Sequence, residues 1–180
     1  MRDRLKQFTQ EKYWVYGLSD SDLDYTVRIV ETMVENNQKD LKVRLAQAQK
    51  KYPEEDVFCE VQSDLAHYAW VDEQYLWHFC LWRLQGIFEA MIIHSLLSES
   101  PKRRLFGLRA KLEAAASSGF VLSAEDYEEL MLWADLRNAL SHAPPEQYRP
   151  IPIGREDIDE YLELIKSILA KWRSEIPPNC

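Results

Sequence analysis

The chain has 180 residues, a length that suits one domain with a single core, and 46% of its residues are hydrophobic. Its formal net charge is −8 and its isoelectric point is about 5.1. Both values argue against a protein that coats DNA or RNA in general, because such proteins are basic overall, but a local basic patch could still contact RNA. We therefore treat residues 1–180 as one domain, with residues 1–19 either part of it or a loosely packed N-terminal extension.

A first long helix is predicted from about Asp20 to Gln49, because apolar residues recur along it at helical spacing. Asn37 falls on the same stripe and would need a hydrogen-bond partner if it were buried. Tyr52-Pro53 ends the helix, since the residue before a proline avoids helical backbone angles. The apolar stripe consists of Leu23, Val27, Val30, Val34, Leu41 and Leu45.

A second, longer helix is predicted from Glu54 or Glu55 to about Leu97, with acidic residues in its first turn that suit the helix dipole. Apolar residues surround its C-terminal half, which predicts a place at the centre of a bundle. One stripe consists of Val57, Val61, Leu65, Tyr68, Tyr75, Phe79, Trp82, Gly86 and Ile93, and the other sides carry Leu76, Leu81, Leu84, Phe88, Met91 and Leu96. The segment Phe79 to Leu97 is interrupted by Arg83, Gln85, Glu89 and His94, so no membrane span is expected.

A third helix is predicted to open at Ser100-Pro101, where a serine N-cap precedes a proline, and to end at Ser118-Gly119. A fourth helix opens at Ser123, with Asp126 in the position of a capping-box acid, and ends near His142.

The segment from Ala143 to Gly154 contains four prolines and is predicted to be an extended loop. A final helix should then run from about Arg155 to Arg173. The predicted fold class is all-α, an up-and-down bundle of four to five helices.

The cysteines indicate a reducing compartment. Cys59 and Cys80 are 21 residues apart on one predicted helix, so about 30 Å separates them and they cannot pair. Both are predicted to be small apolar core residues. Because there is no disulfide framework and the N-terminus has no apolar signal core, we expect a cytoplasmic protein without membrane attachment.

The end of the predicted fourth helix, LWADLRNALSHAPP, contains the residues most suited to chemistry. Arg137 can hold a phosphate through two parallel hydrogen bonds, and His142 can exchange a proton near neutral pH. Asn138 can orient either group or bond a phosphate oxygen. Together these groups can cleave RNA through its own 2′-hydroxyl without a metal ion.

Helical geometry restricts how these residues meet. Asn138 and His142 are four residues apart and share a face, whereas Arg137 and His142 are roughly 140° apart on an ideal helix. The two converge only if the helix end unwinds, if His142 leaves the helix, or if two copies meet across a dimer axis. The alternative is structural, with Arg137 in an ion pair and His142 capping the helix C-terminus.

The RNALSH segment, at the end of a late helix in an all-α chain, resembles the Arg-x4-6-His motif of the HEPN family at its shortest spacing. Asn138 occupies the polar position that usually follows the arginine. The proline-containing loop, the closing helix IDEYLELIKSILAKW and the upstream RLQGIFEAMI segment are also similar to that family. The resemblance covers about residues 20–173.

This resemblance implies a HEPN-like bundle and a cytosolic endoribonuclease that cleaves single-stranded RNA, with a role as a toxin or an antiviral-defence effector. It implies that Arg137 and His142 are catalytic and that Asn138 acts with them, and we expect Ser141 to support the site. It also implies a homodimer in which two motifs form one cleft, no cofactor, and an antitoxin or regulatory protein as a further partner.

One position departs from a subgroup of that family. Members that are partnered with a nucleotidyltransferase antitoxin carry a tyrosine two residues after the histidine, where this chain has Pro144. We therefore do not expect modification by such an antitoxin. Because some family members act as scaffolds, the alternative function is a non-catalytic helical module that binds a protein or a nucleotide through the same site.

Glu89 lies on the same apolar stripe as Trp82, so its carboxylate should be buried and should need a partner. That partner could be Arg137, whose guanidinium Glu89 would then hold toward the cleft. The alternatives are a pair with another basic residue, or an edge position in contact with water. Asp135 is expected to be a solvated charge.

A basic cluster on the predicted third helix is either a weak RNA-steering patch or a solvated helix face; it consists of Lys102, Arg103, Arg104, Arg109 and Lys111. The histidines His67, His78 and His94 are predicted to be structural, and no metal site is predicted.

Overall fold

The computed structural model describes residues 18–97, 105–142 and 152–175. These ranges form an all-α bundle, as predicted, whose helices are α1 (Asp20–Lys51), α2 (Glu55–Met91), α3 (Gly107–Ser117), α4 (Ala124–His142) and α5 (Arg155–Glu175). A π-helical turn, Ile92–Leu96, continues α2. In the described part of the chain, no helix has both the length and the apolar character that crossing a bilayer requires.

Helices α1 and α2 form a long antiparallel pair. The backbone N–H of Ser19 donates to the Asp22 carboxylate at 2.9 Å and caps the start of α1. The helix ends at Lys51 because Pro53 follows, and only three residues separate it from α2. Halfway along the pair, the Asn37 amide donates to the backbone carbonyl of Ala69 at 3.0 Å, which confirms that this polar residue on the apolar stripe needs a partner.

The core lies between this pair and the three other helices. The N-terminal half of α1 and the C-terminal half of α2 contribute most of their buried side chains, and α5 faces both helices. The indole N–H of Trp172 donates to the backbone carbonyl of Val121 at 3.0 Å, and the rings of Trp133 and Tyr161 lie 5.2 Å apart. These contacts join α5 to α4 and to the loop between α3 and α4.

Ion pairs fix α5 against α1. The Arg173 guanidinium donates to Asp20 at 3.0 Å, and Lys166 and Arg155 pair with Asp24 and Glu31. Residues later in α1 pair with residues earlier in α5, so the two helices are antiparallel. The hydrogen bond from Arg173 lowers the pKa of the Asp20 carboxyl below its usual value.

The C-terminal half of α2 and its π-helical turn contact all four other helices, as the predicted central position requires, but most of the predicted inner stripe is wrong. Along its predicted inner stripe, Tyr68, Tyr75, Phe79 and Trp82 are 62%, 69%, 54% and 53% exposed. Most of the buried side chains from Trp77 to Met91 lie on the opposite side of the helix, whereas Glu89, seven residues after Trp82, is buried against α3 and α4. The reason is that α1 and α2 form one layer whose second face the other described helices do not cover.

The start of the third helix also differs from the prediction. Leu105 and Phe106 are not helical, and α3 begins at Gly107, whose φ of 75° turns the chain into the helix. The predicted cap at Ser100-Pro101 lies outside the described residues. Most of the predicted extended loop, residues 143–151, also lies outside them. Its last residues are held by Gln74, whose side chain exchanges two hydrogen bonds with the backbone of Ile153.

The two described cysteines have opposite environments. Both are free thiols, but Cys80 is buried and Cys59 is exposed, so the predicted core position of Cys59 is wrong. At the level of Cys59 the described helices are α1 and α2 alone, and one pair of helices is too thin to enclose both sides of a helix. Burial of Cys80, with a further effect of the charge on Asp159, raises the pKa of its thiol to about 12.

We predict that alkylation at pH 8 modifies Cys59 and leaves Cys80 intact in the folded protein, because only an accessible thiolate reacts. Mass spectrometry of the digested, iodoacetamide-treated protein measures both sites. In denaturant both should react, which provides the control. Equal labelling of the two cysteines in the folded protein would contradict the buried position of Cys80.

Candidate functional site

The predicted catalytic segment forms the last turns of α4. The helix begins after Ser123, whose hydroxyl accepts from the Asp126 backbone N–H at 3.0 Å, as the capping pattern predicts. It ends at His142, which confirms the predicted end of the helix. The side chain of His142 lies outside the described part of the structure. The convergence of Arg137 and His142 therefore stays a prediction.

Glu89 organises the described part of the site. This residue of α2 is only 8% exposed, and its carboxylate accepts from three side chains. Arg137 of α4 donates through Nη2 at 3.1 Å, Gln85 donates through Nε2 at 3.0 Å, and Lys111 of α3 donates through Nζ. The predicted burial of Glu89 and its pairing with Arg137 are confirmed. Lys111, predicted as part of a surface cluster, is a second cationic partner.

The cluster has more positive than negative charge. One carboxylate, Glu89, lies between the ammonium group of Lys111 and the guanidinium of Arg137. A buried carboxylate is tolerated only with partners of opposite charge and with its hydrogen bonds satisfied. Here a single negative charge has two positive partners. The surplus positive charge favours the binding of an anion, and the anion would bind at the cation that reaches the surface.

Arg137 is the cation that reaches the surface. Its side chain is 22% exposed, and its Nη1 donates to the Asn138 carboxamide oxygen at 3.0 Å on the exposed side. Ser141 donates its hydroxyl to the backbone carbonyl of Arg137 at 2.9 Å, a bond common for serines within helices. Ser141 thus contacts the backbone of Arg137, whereas Asn138 contacts its guanidinium.

Three buried polar atoms near this cluster have no hydrogen-bond partner among the described residues. They are the Tyr161 hydroxyl, the Gln85 carboxamide oxygen and Nε of Arg137. Tyr161 of α5 is fully buried, and burial together with the nearby Glu89 charge raises the pKa of its phenol. The site therefore contains hydrogen-bonding capacity that its own side chains do not use.

The predicted basic cluster is not one surface patch within the described residues. Arg109 is exposed on α3, whereas Lys111 is buried against Glu89. Lys102, Arg103 and Arg104 lie outside the described residues. On α4, Asp135 is exposed, as predicted for a solvated charge.

No group of three or more potential metal ligands occurs within the described ranges. His67 is exposed, with its ring 6.2 Å from that of Trp70, and His94 lies exposed in the π-helical turn. An apolar groove between α3 and the start of α4 is lined by Leu112, Phe120, Leu122 and Tyr127 among others, and it contains no predicted site residue.

Gln85, Lys111 and Tyr161 were not predicted as residues of this site. Gln85 and Glu89 are one helical turn apart in the otherwise apolar LQGIFEAM segment, which was a visible signal for a paired polar site. Lys111 lies between Leu108 and Leu112, two buried residues of α3, so its position in the apolar pattern also marked it as unusual.

No family model, curated protein or solved structure matches the chain. The function proposed below rests on the residues of this chain, on their geometry and on the motif in α4.

Removing the buried carboxylate should destabilise the fold more than removing either cation. We predict that Glu89→Ala lowers the free energy of unfolding by roughly 3–5 kcal/mol, because it leaves Lys111 buried without its anion. Lys111→Met should cost clearly less, since Glu89 keeps Arg137 and Gln85. Urea denaturation followed by circular dichroism measures both values. An equal loss in both variants would show that Glu89 does not organise the cluster.

Proposed function

We propose that the chain is a metal-independent endoribonuclease that cleaves single-stranded RNA at the C-terminal end of α4. The observation that carries the proposal is the partly exposed Arg137 guanidinium, which is anchored on buried Glu89 and lies beside Asn138 on the helix that ends at His142. The resemblance to the HEPN family supports the same residues. It extends the proposal to a cytoplasmic toxin or defence effector with an antitoxin or regulatory protein as partner.

Arg137 is suited to bind the scissile phosphate. Glu89 holds one edge of its guanidinium, which limits the motion of the side chain, and Nη1 lies on the exposed side. A phosphate oxygen can replace the Asn138 oxygen at Nη1, because a charged acceptor forms the stronger hydrogen bond. The surplus positive charge of the cluster stabilises the extra negative charge on phosphorus as the transition state forms.

The proposed reaction uses the RNA's own nucleophile. The 2′-oxygen attacks the adjacent phosphorus and loses its proton, while the bond from phosphorus to the 5′-oxygen breaks and that oxygen gains a proton. The products are a 2′,3′-cyclic phosphate and a 5′-hydroxyl. We assign proton transfer to His142, because an imidazole gains and loses a proton near neutral pH.

The proposed site contains two copies of the motif. On the regular helix α4, Arg137 and His142 are five residues apart and do not share a face. A homodimer in which the two motifs face one groove brings an arginine and a histidine from different copies to one phosphate. The second copy therefore completes the site.

One observation favours a second candidate function, a non-catalytic module that binds a protein or a nucleotide. Arg137 already makes an ion pair with Glu89, as a purely structural arginine would. An anion that binds at the surplus positive charge would then be held without being cleaved. Cleavage of RNA by the purified protein separates the two candidates.

We predict that His142→Ala lowers the rate of RNA cleavage by at least about 100-fold, the smallest usual contribution of a general acid or base. If His142 only caps the helix, the same change costs roughly 0.3–1 kcal/mol of stability and leaves cleavage intact. Initial rates on a mixed single-stranded RNA and thermal melts distinguish the two results. His67→Ala is the matched control, because His67 is an exposed histidine far along α2 from α4.

Arg137→Lys tests the phosphate contact in the same assay. An ammonium keeps the charge and can still pair with Glu89, but it lacks the planar fork with which the guanidinium binds Glu89 through Nη2 and presents Nη1 to a phosphate at the same time. We expect a large loss of cleavage with helical circular dichroism unchanged, whereas Arg109→Lys should cleave like the parent. If parent, His142→Ala and Arg137→Lys all cleave equally, the active site lies elsewhere. A parent that binds RNA without cleaving it supports the binding module.

We further predict that cleavage persists in excess chelator and yields 2′,3′-cyclic phosphate ends, because the nucleophile and the proton carriers belong to RNA and protein. Rates with EDTA and with added Mg²⁺, together with mass spectrometry of the product ends, test this prediction. Loss of cleavage in EDTA that Mg²⁺ restores, or 3′-hydroxyl products, would contradict the mechanism.

A further inference from the structure

The α1–α2 layer has an apolar face that points away from the rest of the bundle. Ion-pair partners on α1, among them Asp20, Asp24 and Glu31, face α5, and large hydrophobic residues on the other side are exposed. We call this surface the outer face; it consists of Tyr25, Ile29 and Met33 from α1 and of Tyr68, Tyr75, Phe79 and Trp82 from α2. Isolated proteins rarely expose so many large hydrophobic residues on one surface.

The residues of the outer face from the two helices lie side by side. The Asn37–Ala69 hydrogen bond fixes the antiparallel register of the pair. Ile29 lies eight residues before Asn37 on α1, and residue 77 lies eight residues after Ala69 on α2. Ile29 is therefore level with residue 77, which stands between Tyr75 and Phe79. The rings of Phe79 and Trp82 are 6.2 Å apart. An aromatic strip on α2 thus runs beside a strip on α1 that is aliphatic apart from Tyr25.

Toward the turn between α1 and α2, the helix pair has almost no core, and this part overlaps the outer face at Tyr68 and Tyr75. In residues 35–76 only Ala48 is buried. Two helices can bury only the seam between them, and isolated helices are marginal in water without a packed face. This part of the pair, which we call the arm, gains stability if another layer of helices packs on it.

The two helices of the arm carry opposite charge. Residues 39–51 of α1 contain five Lys or Arg residues and one Asp. Residues 54–73, at the start of α2, contain seven Asp or Glu residues and no Lys or Arg. A surface with a basic helix beside an acidic helix is complementary to a copy of itself, provided that unlike helices meet.

We propose that a second copy of this chain covers the outer face, with α2 of each copy packed on α1 of the other. A two-fold axis parallel to the helices gives this arrangement, and it sets the aromatic strip of one copy on the aliphatic strip of its partner. A two-fold axis across the helices would instead bring basic α1 onto basic α1 and acidic α2 onto acidic α2. The proposal does not rest on the proposed function. Because α4 packs away from the outer face, a dimer through this face keeps the two α4 motifs apart, and the groove shared by two motifs would form between two such dimers.

Light scattering coupled to size exclusion, without RNA, tests the surface. The parent should be a dimer at micromolar concentration, and Phe79→Asp should raise the dimer dissociation constant by more than about tenfold, as expected for an aromatic residue at the centre of an interface. Phe106→Asp is the matched control and should remain dimeric, because Phe106 is more exposed than Phe79 but lies outside the outer face. Unchanged circular dichroism shows that the variants fold.

Disulfide trapping tests the arrangement. In a background with Cys59 and Cys180 replaced by serine, chains carrying Ile29→Cys are mixed with chains carrying Tyr75→Cys and oxidised. Unlike pairing of the helices predicts a mixed dimer between the two chains as the main product. A dimer of two Tyr75→Cys chains as the main product would show like-with-like pairing and would overturn the arrangement.

Two further outcomes would overturn the proposal. A dimer that Phe79→Asp leaves intact uses another surface. A monomeric parent excludes the second copy, and protection of Tyr75 from footprinting in that monomer would assign the outer face to another segment of the same chain. A dimer that satisfies both tests but cleaves no RNA upholds this inference and contradicts the proposed function, so the two failures are distinguishable.

Discussion

One buried carboxylate determines the arrangement of the site. Glu89 lies inside the bundle at 8% exposure and requires compensation, because a charge removed from water without a partner is very costly. Its partners come from three helices, Gln85 from α2 itself, Lys111 from α3 and Arg137 from α4. The same contacts that make Glu89 tolerable in the core also join these helices and fix the position of the Arg137 side chain.

This arrangement links stability to the proposed chemistry. A free arginine at the end of a helix would sample many rotamers and would lose that freedom on binding a phosphate. Arg137 has lost much of it already, because Glu89 holds one edge of its guanidinium. Lys111 adds the positive charge that leaves the cluster cationic overall, although the chain carries a net charge of −8. A local excess of positive charge is therefore compatible with an acidic protein.

Much of the fold was readable from the chain because it depends on local rules. The predicted limits of α1, α4 and α5 agree with the structure within two residues, since caps, prolines and apolar spacing act within a few residues. The partner requirement of Asn37 and the burial of Glu89 were also predictable, because a polar residue on an apolar stripe must be satisfied. The Arg137–Glu89 pair was one of three alternatives, and the sequence could not choose among them.

The sequence by itself determined the helices, their ends and the set of polar residues that need partners. Only the tertiary structure decided which apolar stripe of α2 is buried, because periodicity shows that a stripe exists but not which neighbour covers it. Tyr75, Phe79 and Trp82 form as clear a stripe as the buried one, yet they are exposed. In the same way, only packing placed Lys111 inside and Arg109 outside, since the partner that distinguishes them, Glu89, lies on another helix and far along the chain.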